Sequence, residues 1–266
     1  MNLGPYEPDN IYKGDCIELM KALPDGCIDA VITDPPYGTT ACSWDSVIPF
    51  EPMWEQLKRI TKPNAAIVLF GSQPFTSALI MSNIKMFKYE WIWLKNQCTG
   101  FLTAKYIPQK THENIVVFYE SSPTYNPQKT KRTYDAFKRD ARCTNSPRTR
   151  HEAWDLKESK RAYRPLEEQW YLYPKSVIDI KTNRKCGDNN PWKHPTKKPV
   201  ALIQYLVMTY TNENDLILDF TIGSGTTAVA AHKTDRHFIG FDNDADIFKT
   251  AERRIELETA QTKLDF

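Results

Sequence analysis

Leu216-Ile217-Leu218-Asp219-Phe220-Thr221-Ile222-Gly223-Ser224-Gly225-Thr226-Thr227-Ala228 is the stretch that decides the fold. A short apolar run ending in an acidic residue reads as a buried strand, the glycines mark a tight turn, and a helix is expected to start near Thr226. Phe238 to Asp242 reads as the next strand, followed by a polar helix from about Ala245 to Glu258. Strand, Gly-x-Gly-x-x-Ala, helix, and then an acidic residue ending the following strand is the pattern of a nucleoside site. Gly223 and Gly225 let the backbone approach the ligand, and Asp242 accepts from ribose hydroxyls. On this turn alone, NAD and S-adenosylmethionine fit equally. The plain alternative, a tight strand–helix connection, loses ground once Asp242 is included.

Moving outward, Ile28 to Thr33 and Ala65 to Phe70 read as buried strands. Met53, Trp54, Leu57 and Ile60 lie at helical spacing between them, and Glu90 to Leu94 and Asn114 to Tyr119 are strand-like. Strands alternating with helices imply an α/β fold with a doubly wound, mostly parallel, Rossmann-like sheet. From Ser121 to about Pro191 the periodicity fades, and Pro, Asn, Arg and Lys dominate with interspersed aromatics. A stretch that long argues for an inserted functional region rather than a connector. Residues 1–120 and 191–266 are therefore expected to form one domain, with 121–190 a separate region.

Charge sharpens that division. The net charge is only +2, yet Gln128 to Arg164 holds twelve Lys or Arg against five Asp or Glu. A basic segment on a slightly acidic body is an electrostatic footprint for a polyanion, and a solvated loop fits the charge equally well. The six cysteines show no Cys-x-x-Cys pair, so neither a metal site nor a disulfide framework is expected. No apolar run reaches membrane-spanning length, and the N-terminus lacks the pattern of a secretory leader, so a cytoplasmic protein with no membrane partner is expected.

Asp34-Pro35-Pro36-Tyr37 follows directly on the first buried strand. Ligands of open α/β sheets sit beyond the carboxyl ends of strands. The prolines bring no amide hydrogens, so a carboxylate and a carbonyl are left as two acceptors, matching the two hydrogens of an aromatic amino group. Tyr37 adds a flat face for stacking. The plain alternative is a rigid strand-to-loop turn.

Together the two sites resemble the S-adenosylmethionine-dependent amino-methyltransferases of DNA. In that family the Gly-rich loop holds the cofactor and Asp-Pro-Pro-Tyr receives the target base. The order seen here, Asp-Pro-Pro-Tyr first and the glycine turn last with the basic segment between, resembles the circularly permuted β-class, whose target-recognition region occupies that gap. Gly14-Asp15-Cys16 and His194-Pro195-Thr196-Lys197-Lys198-Pro199 resemble two further family elements. The resemblance implies an adenine-N6 methyltransferase acting on flipped-out bases of double-stranded DNA, with S-adenosylmethionine as cofactor. It implies catalytic roles for Asp34, Pro35, Pro36 and Tyr37. It implies cofactor contacts from Asp15, Asp34, His194, Thr196, Lys198, Asp219, Gly223, Gly225, Thr226 and Asp242, with no metal. A homodimer and an associated restriction nuclease are compatible partners.

One element departs from the family: Phe220 and Thr221 stand where its glycine turn carries Pro and Phe, so a stacking Phe does not carry over cleanly. Cytosine-N4 methylation is the nearest alternative. An NAD-dependent oxidoreductase is the alternative from another class, and it leaves Asp-Pro-Pro-Tyr unexplained. Other prominent residues have plain readings. His112 and Glu113 read as a turn ahead of a strand, Trp91 and Trp93 as packing on one sheet face, and Trp154 and Trp170 as a small local core. Trp44 reads as core packing or a flank of the base pocket.

Overall fold

A computed structural model describes residues 2–39, 45–132, 170–182 and 197–262. His194, Thr196, Trp44, Trp154 and most of the basic segment lie outside these described residues. The chain divides into two compact units, Met1–Asn126 with Ser176–Phe266, and Pro127–Lys175.

The larger unit is built on an eight-stranded sheet. In sheet order these are β1 (Asn10–Lys13), β10 (His237–Asp242), β9 (Leu216–Asp219), β2 (Ile28–Thr33), β3 (Thr61–Gly71), β5 (Lys110–Phe118), β4 (Phe87–Thr99) and β8 (Val177–Asp179). The first five run parallel, β5 is antiparallel to both β3 and β4, and β8 pairs parallel with β4. A doubly wound, mostly parallel sheet is thus observed.

Period-two alternation explains the layering. Val31, Ile67, Leu69, Val116 and Phe118 face one side, with Met20 of α1 (Cys16–Lys21), Leu57 of α2 (Phe50–Ile60) and Leu79 of α3 (Phe75–Ser82). Ile32, Val68, Phe70, Ile115 and Val117 face the other, with Leu202 and Leu206 of α4 (Val200–Tyr210) and Ala228 and Ala231 of α5 (Thr226–His232). The central segments Ala30–Ile32, Ala65–Phe70, Ile115–Phe118 and Leu216–Leu218 are apolar throughout because both faces are covered. The last helix, α6 (Ala245–Thr262), buries Ala251 and Arg254.

The connections place the ligand crevice. From β9 the chain crosses through α5 to β10 on one side, and from β2 it crosses through α2 to β3 on the other. The strand order therefore reverses between β9 and β2, and crevices form at such switch points. Asp219 and Asp34 stand at the carboxyl ends of these two strands.

Two expectations need adjustment. His112 and Glu113 lie inside β5, because Trp93 and Leu94 pair with them and carry the ladder beyond the apolar segment. Among its described residues, the stretch from Ser121 to Pro191 includes a core strand, β8, since Ile178 is buried against the sheet. Its start also belongs to the larger unit, where the Asn126 N–H donates to the Thr209 carbonyl at 2.7 Å. Trp91 and Trp93 share one face as expected, and their indole N–H groups donate to the Tyr210 hydroxyl at 2.6 Å and the Ile180 carbonyl at 2.8 Å. In the smaller unit, β6 (Thr130–Lys131) and β7 (Tyr171–Leu172) form an antiparallel pair. Among the described residues no helix is long and apolar enough to cross a membrane.

Candidate active site

A cavity of about 1160 Å³ opens along the carboxyl edge of the sheet. Asp15, Asp34, Pro35, Pro36, Tyr37, Lys198, Asp219, Gly223, Thr226 and Asp242 all line it. Gly225 does not. Its φ is +74°, which suits glycine at the start of α5, and a side chain there would meet Ile255 Cγ1 at 3.1 Å. Phe220 is completely buried, so its ring serves the core.

The seam between the two motifs is hydrogen-bonded. The Thr33 hydroxyl donates to Asp219 Oδ1 at 2.5 Å, and the Thr33 and Thr221 hydroxyls lie 2.7 Å apart. The Thr221 N–H donates to Asp219 Oδ1 at 3.2 Å, and the Thr221 hydroxyl donates to the Asp34 carbonyl at 3.2 Å. The glycine turn and the Asp-Pro-Pro-Tyr backbone are thus tied together. Burial pushes the Asp219 carboxyl up to about 6, against the opposing effect of hydrogen bonds from Thr227, Thr33 and the Thr221 N–H.

At the glycine turn, the Gly223 N–H donates to Asp242 Oδ2 and the Asp244 N–H to Oδ1, both at 2.9 Å. The Asp242 carboxylate is therefore held facing the crevice, and burial raises its pKa above the ordinary range. The Gly14 N–H donates to the Asp242 carbonyl at 2.9 Å, bringing Asp15 alongside. Asp15 caps α1, with Oδ1 accepting from the Ile17 and Glu18 N–H groups.

Around Asp34 the cavity wall is a charged cluster. One Asp34 carboxylate oxygen accepts from the Tyr37 hydroxyl, and the other accepts from the Lys198 ammonium. The Tyr37 ring packs against Phe75 at 5.1 Å, and burial followed by Asp34 drives its hydroxyl pKa well above 10. Asp45 shapes the loop by accepting from the Tyr37, Gly38 and Thr39 N–H groups at 2.8, 2.9 and 2.9 Å. Lys198 also lies 3.3 Å from Glu113 Oε2 and 5.0 Å from the Phe70 ring centre, while Lys95 pairs with Glu113 Oε1 at 2.9 Å. Burial alone would neutralise these groups. For Lys198 the attraction of Asp34 and Glu113 outweighs burial and raises its pKa; for Glu113 the two lysines outweigh burial and lower it. Lys198 and Glu113 thus keep their charges in a shielded site.

A third cluster closes the glycine turn from behind. Arg254 is fully buried, and its Nη1 donates to the Ser224 carbonyl at 2.7 Å and the Thr226 hydroxyl at 3.0 Å, while Nε donates to Glu258 at 2.9 Å. Its Nη2 finds no hydrogen-bond partner among the described residues. Lys197 lines the same end of the cavity, and burial followed by the Arg254 charge lowers its pKa to about 8.

Sequence reasoning missed Thr33, Thr221, Glu113, Lys95, Lys197 and Arg254. Glu113 carried a weak signal, a carboxylate just ahead of a run of buried apolar residues. Arg254 carried none, being one arginine in a polar helix.

The N6_N4_Mtase family model, described as DNA methylase, matches residues 28–253. The type II methyltransferase M.HpaI of Haemophilus parainfluenzae is 26% identical over 257 residues, covering 92% of this chain and 73% of that protein. The type II methyltransferase M1.MboII of Moraxella bovis is 27% identical over 264 residues, covering 92% of this chain and 95% of that protein. Among solved structures, the M1.HpyAVI–SAM complex has a TM-score of 0.58 at 24% identity, covering 92% of this chain and 98% of that one. The cytosine-N4-specific PvuII DNA methyltransferase has a TM-score of 0.64 at 14% identity, covering 97% and 95%. These structural likenesses carry the fold.

Proposed function

The chain belongs to the N6_N4_Mtase family of DNA methylases, and on that premise we propose that it transfers a methyl group from S-adenosylmethionine to N6 of an adenine flipped out of duplex DNA. The single observation that carries this reading is the shared cavity: Asp34 and the glycine turn, held together through Thr33, Thr221 and Asp219, open onto one space.

The residues fit the cofactor. Asp242, gripped by the Gly223 N–H, is disposed to accept from ribose hydroxyls, and Asp15 stands beside it for the adenine. Lys197, which lines the same cavity, suits a carboxylate. His194 and Thr196 remain part of the proposed cofactor set from sequence. When bound, S-adenosylmethionine supplies an electrophilic methyl group on a sulfonium.

The chain's own residues supply the acceptor side. Asp34 accepts one hydrogen of the adenine amino group and the Pro35 carbonyl the other, which favours a pyramidal nitrogen with its lone pair free to attack. As the new N–C bond forms, positive charge grows on nitrogen, and the Asp34 carboxylate stabilises it in a shielded site. The methyl–sulfonium bond would break as the N–C bond forms, the nitrogen would then release one proton to water, and no covalent enzyme intermediate is required. For the amino hydrogens to reach Asp34, Lys198 shifts its ion pair towards Glu113, which already stands 3.3 Å away. The remaining work is positioning.

Extruding a base costs on the order of a few kcal/mol. Stacking on Tyr37 returns ~1–3 kcal/mol. Backbone contacts supply the net affinity, and the basic segment within residues 121–190, read as the target-recognition region, is their source. Binding should therefore weaken steeply with salt. The order of motifs along the chain supports the β-class permutation.

Incubation with methyl-labelled S-adenosylmethionine and unmodified DNA, followed by nucleoside digestion and mass spectrometry, tests the reading. N6-methyladenine is expected. N4-methylcytosine would keep the enzyme class and change the base, since the two-acceptor geometry suits either amine. An absence of label in any nucleoside would overturn the proposal.

A further inference from the structure

We propose that the hairpin tip between β4 and β5, residues 100–109, enters the duplex beside the target base pair and fills the stack that the extruded base leaves. The inference rests on the base-flipping reading above and assigns the wedge to particular residues.

The tip carries large apolar side chains that stand exposed among the described residues. Phe101 is 82% exposed, Leu102 92%, Tyr106 86% and Ile107 57%. Isolated exposed apolar residues are ordinary on a protein surface, but four on a single loop mark a surface that meets a partner. The loop is also shaped rather than loose. Gly100 turns the chain out of β4 with φ of +88°, and a single 3₁₀ turn, Phe101–Thr103, follows. The Thr103 hydroxyl donates to the Gly100 carbonyl at 3.1 Å, and the Tyr106 N–H donates to the Thr103 carbonyl at 2.9 Å.

Its position and charge indicate the partner. Gln97, Cys98 and Thr99, the last residues of β4, line the cavity that holds Asp34. At the other foot of the hairpin, the Lys110 ammonium contacts the Ser72 hydroxyl just beyond β3. The tip therefore rises from the rim of the acceptor pocket. Between Gly100 and Thr111 the sequence contains Lys105 and Lys110 and no Asp or Glu. Lys181, exposed just beyond β8, stands beside the same strand end, where the Thr182 hydroxyl donates to Asn96 at 2.5 Å. Apolar side chains flanked by ammonium groups match a base stack flanked by phosphates. Proteins that unstack a base step insert such apolar wedges into the gap.

The double variant Phe101→Ser/Leu102→Ser tests this, because both side chains are solvent-exposed and the fold does not depend on them. The target site is first mapped from methylated DNA, and two oligonucleotide duplexes are prepared. One carries the target base paired, and the other carries it opposite an abasic position, where extrusion is already easy. The double variant should lose about tenfold or more in kcat/KM on the paired duplex and stay within about twofold of the parent on the abasic one. Equal losses on both duplexes, no loss on either, or a parent dimer that the substitutions convert to monomer would overturn the wedge. If the parent methylates neither duplex, the functional reading beneath it falls instead.

Discussion

The Thr33 hydroxyl donates to the Asp219 carboxylate at 2.5 Å, joining residues 186 positions apart in the chain. The backbone ladder between β2 and β9 ends at Val31 and Leu218, so this bond carries the seam past the last paired residues and out to the crevice. It fixes the strand that delivers Asp34 against the turn that carries Gly223. The two halves of the site owe their registration to it and to the Thr221 bond to the Asp34 carbonyl.

Asp219 should make stability fall with pH over a defined window. Burial lifts its pKa from 3.8 to about 6, so between these values the folded protein holds a proton that the unfolded chain has released. The parent therefore loses stability as pH rises from about 4 to about 6, by roughly 3 kcal/mol in all. Asp219→Asn does not ionise. Urea unfolding should show the stability of the variant relative to the parent growing across that window and levelling above it. A difference independent of pH contradicts this account of the buried carboxyl.

Glu113→Gln should separate two roles of the ionic cluster. Removing the carboxylate leaves Lys95 and Lys198 without their shared counter-charge, which costs about 3 kcal/mol of stability. Lys198 then pairs with Asp34 alone, and kcat should fall about tenfold, the effect of one charge-assisted hydrogen bond competing at the acceptor. The folded pKa of Glu113 is depressed, so its stabilising effect is present above the ordinary value of 4.5 and lost as pH falls through the lower folded value. The stability gap between parent and variant should therefore shrink below about pH 4.5. An unchanged kcat with a large loss of stability would restrict Glu113 to a structural role.

How much of this was legible in the sequence follows from what each residue does locally. Ala30–Ile32 and Leu216–Leu218 declare themselves because a strand segment covered on both faces is apolar at every position. Asp34, Gly223 and Asp242 stand at strand ends and turns, where residue type and place together indicate a ligand. Glu113 stayed hidden because its strand continues through polar residues that only pairing with Trp93 and Leu94 maintains. Arg254 was invisible because its partners, Ser224 and Thr226, are reached through tertiary packing. The same holds for β8, a short strand that depends on an existing edge.

Arg254→Lys probes the latch behind the glycine turn. A lysine cannot reproduce the planar fork that reaches the Ser224 carbonyl, the Thr226 hydroxyl and Glu258 together. The KM for S-adenosylmethionine should rise about tenfold while kcat stays within about twofold, the pattern of lost uniform binding. Steady-state kinetics with the cofactor varied would show it. An unchanged KM would mean that the turn keeps its shape without the guanidinium.

The most direct test of the account is Asp34→Ala, measured as methylated nucleoside formed per enzyme alongside calorimetric affinity for S-adenosylmethionine. Methyl transfer should be at least ~100-fold slower, from loss of charge stabilisation at the acceptor. The cofactor Kd should stay within about threefold of the parent. A variant that methylates DNA at nearly the parental rate would contradict the assignment of Asp34 as the group that receives the amine.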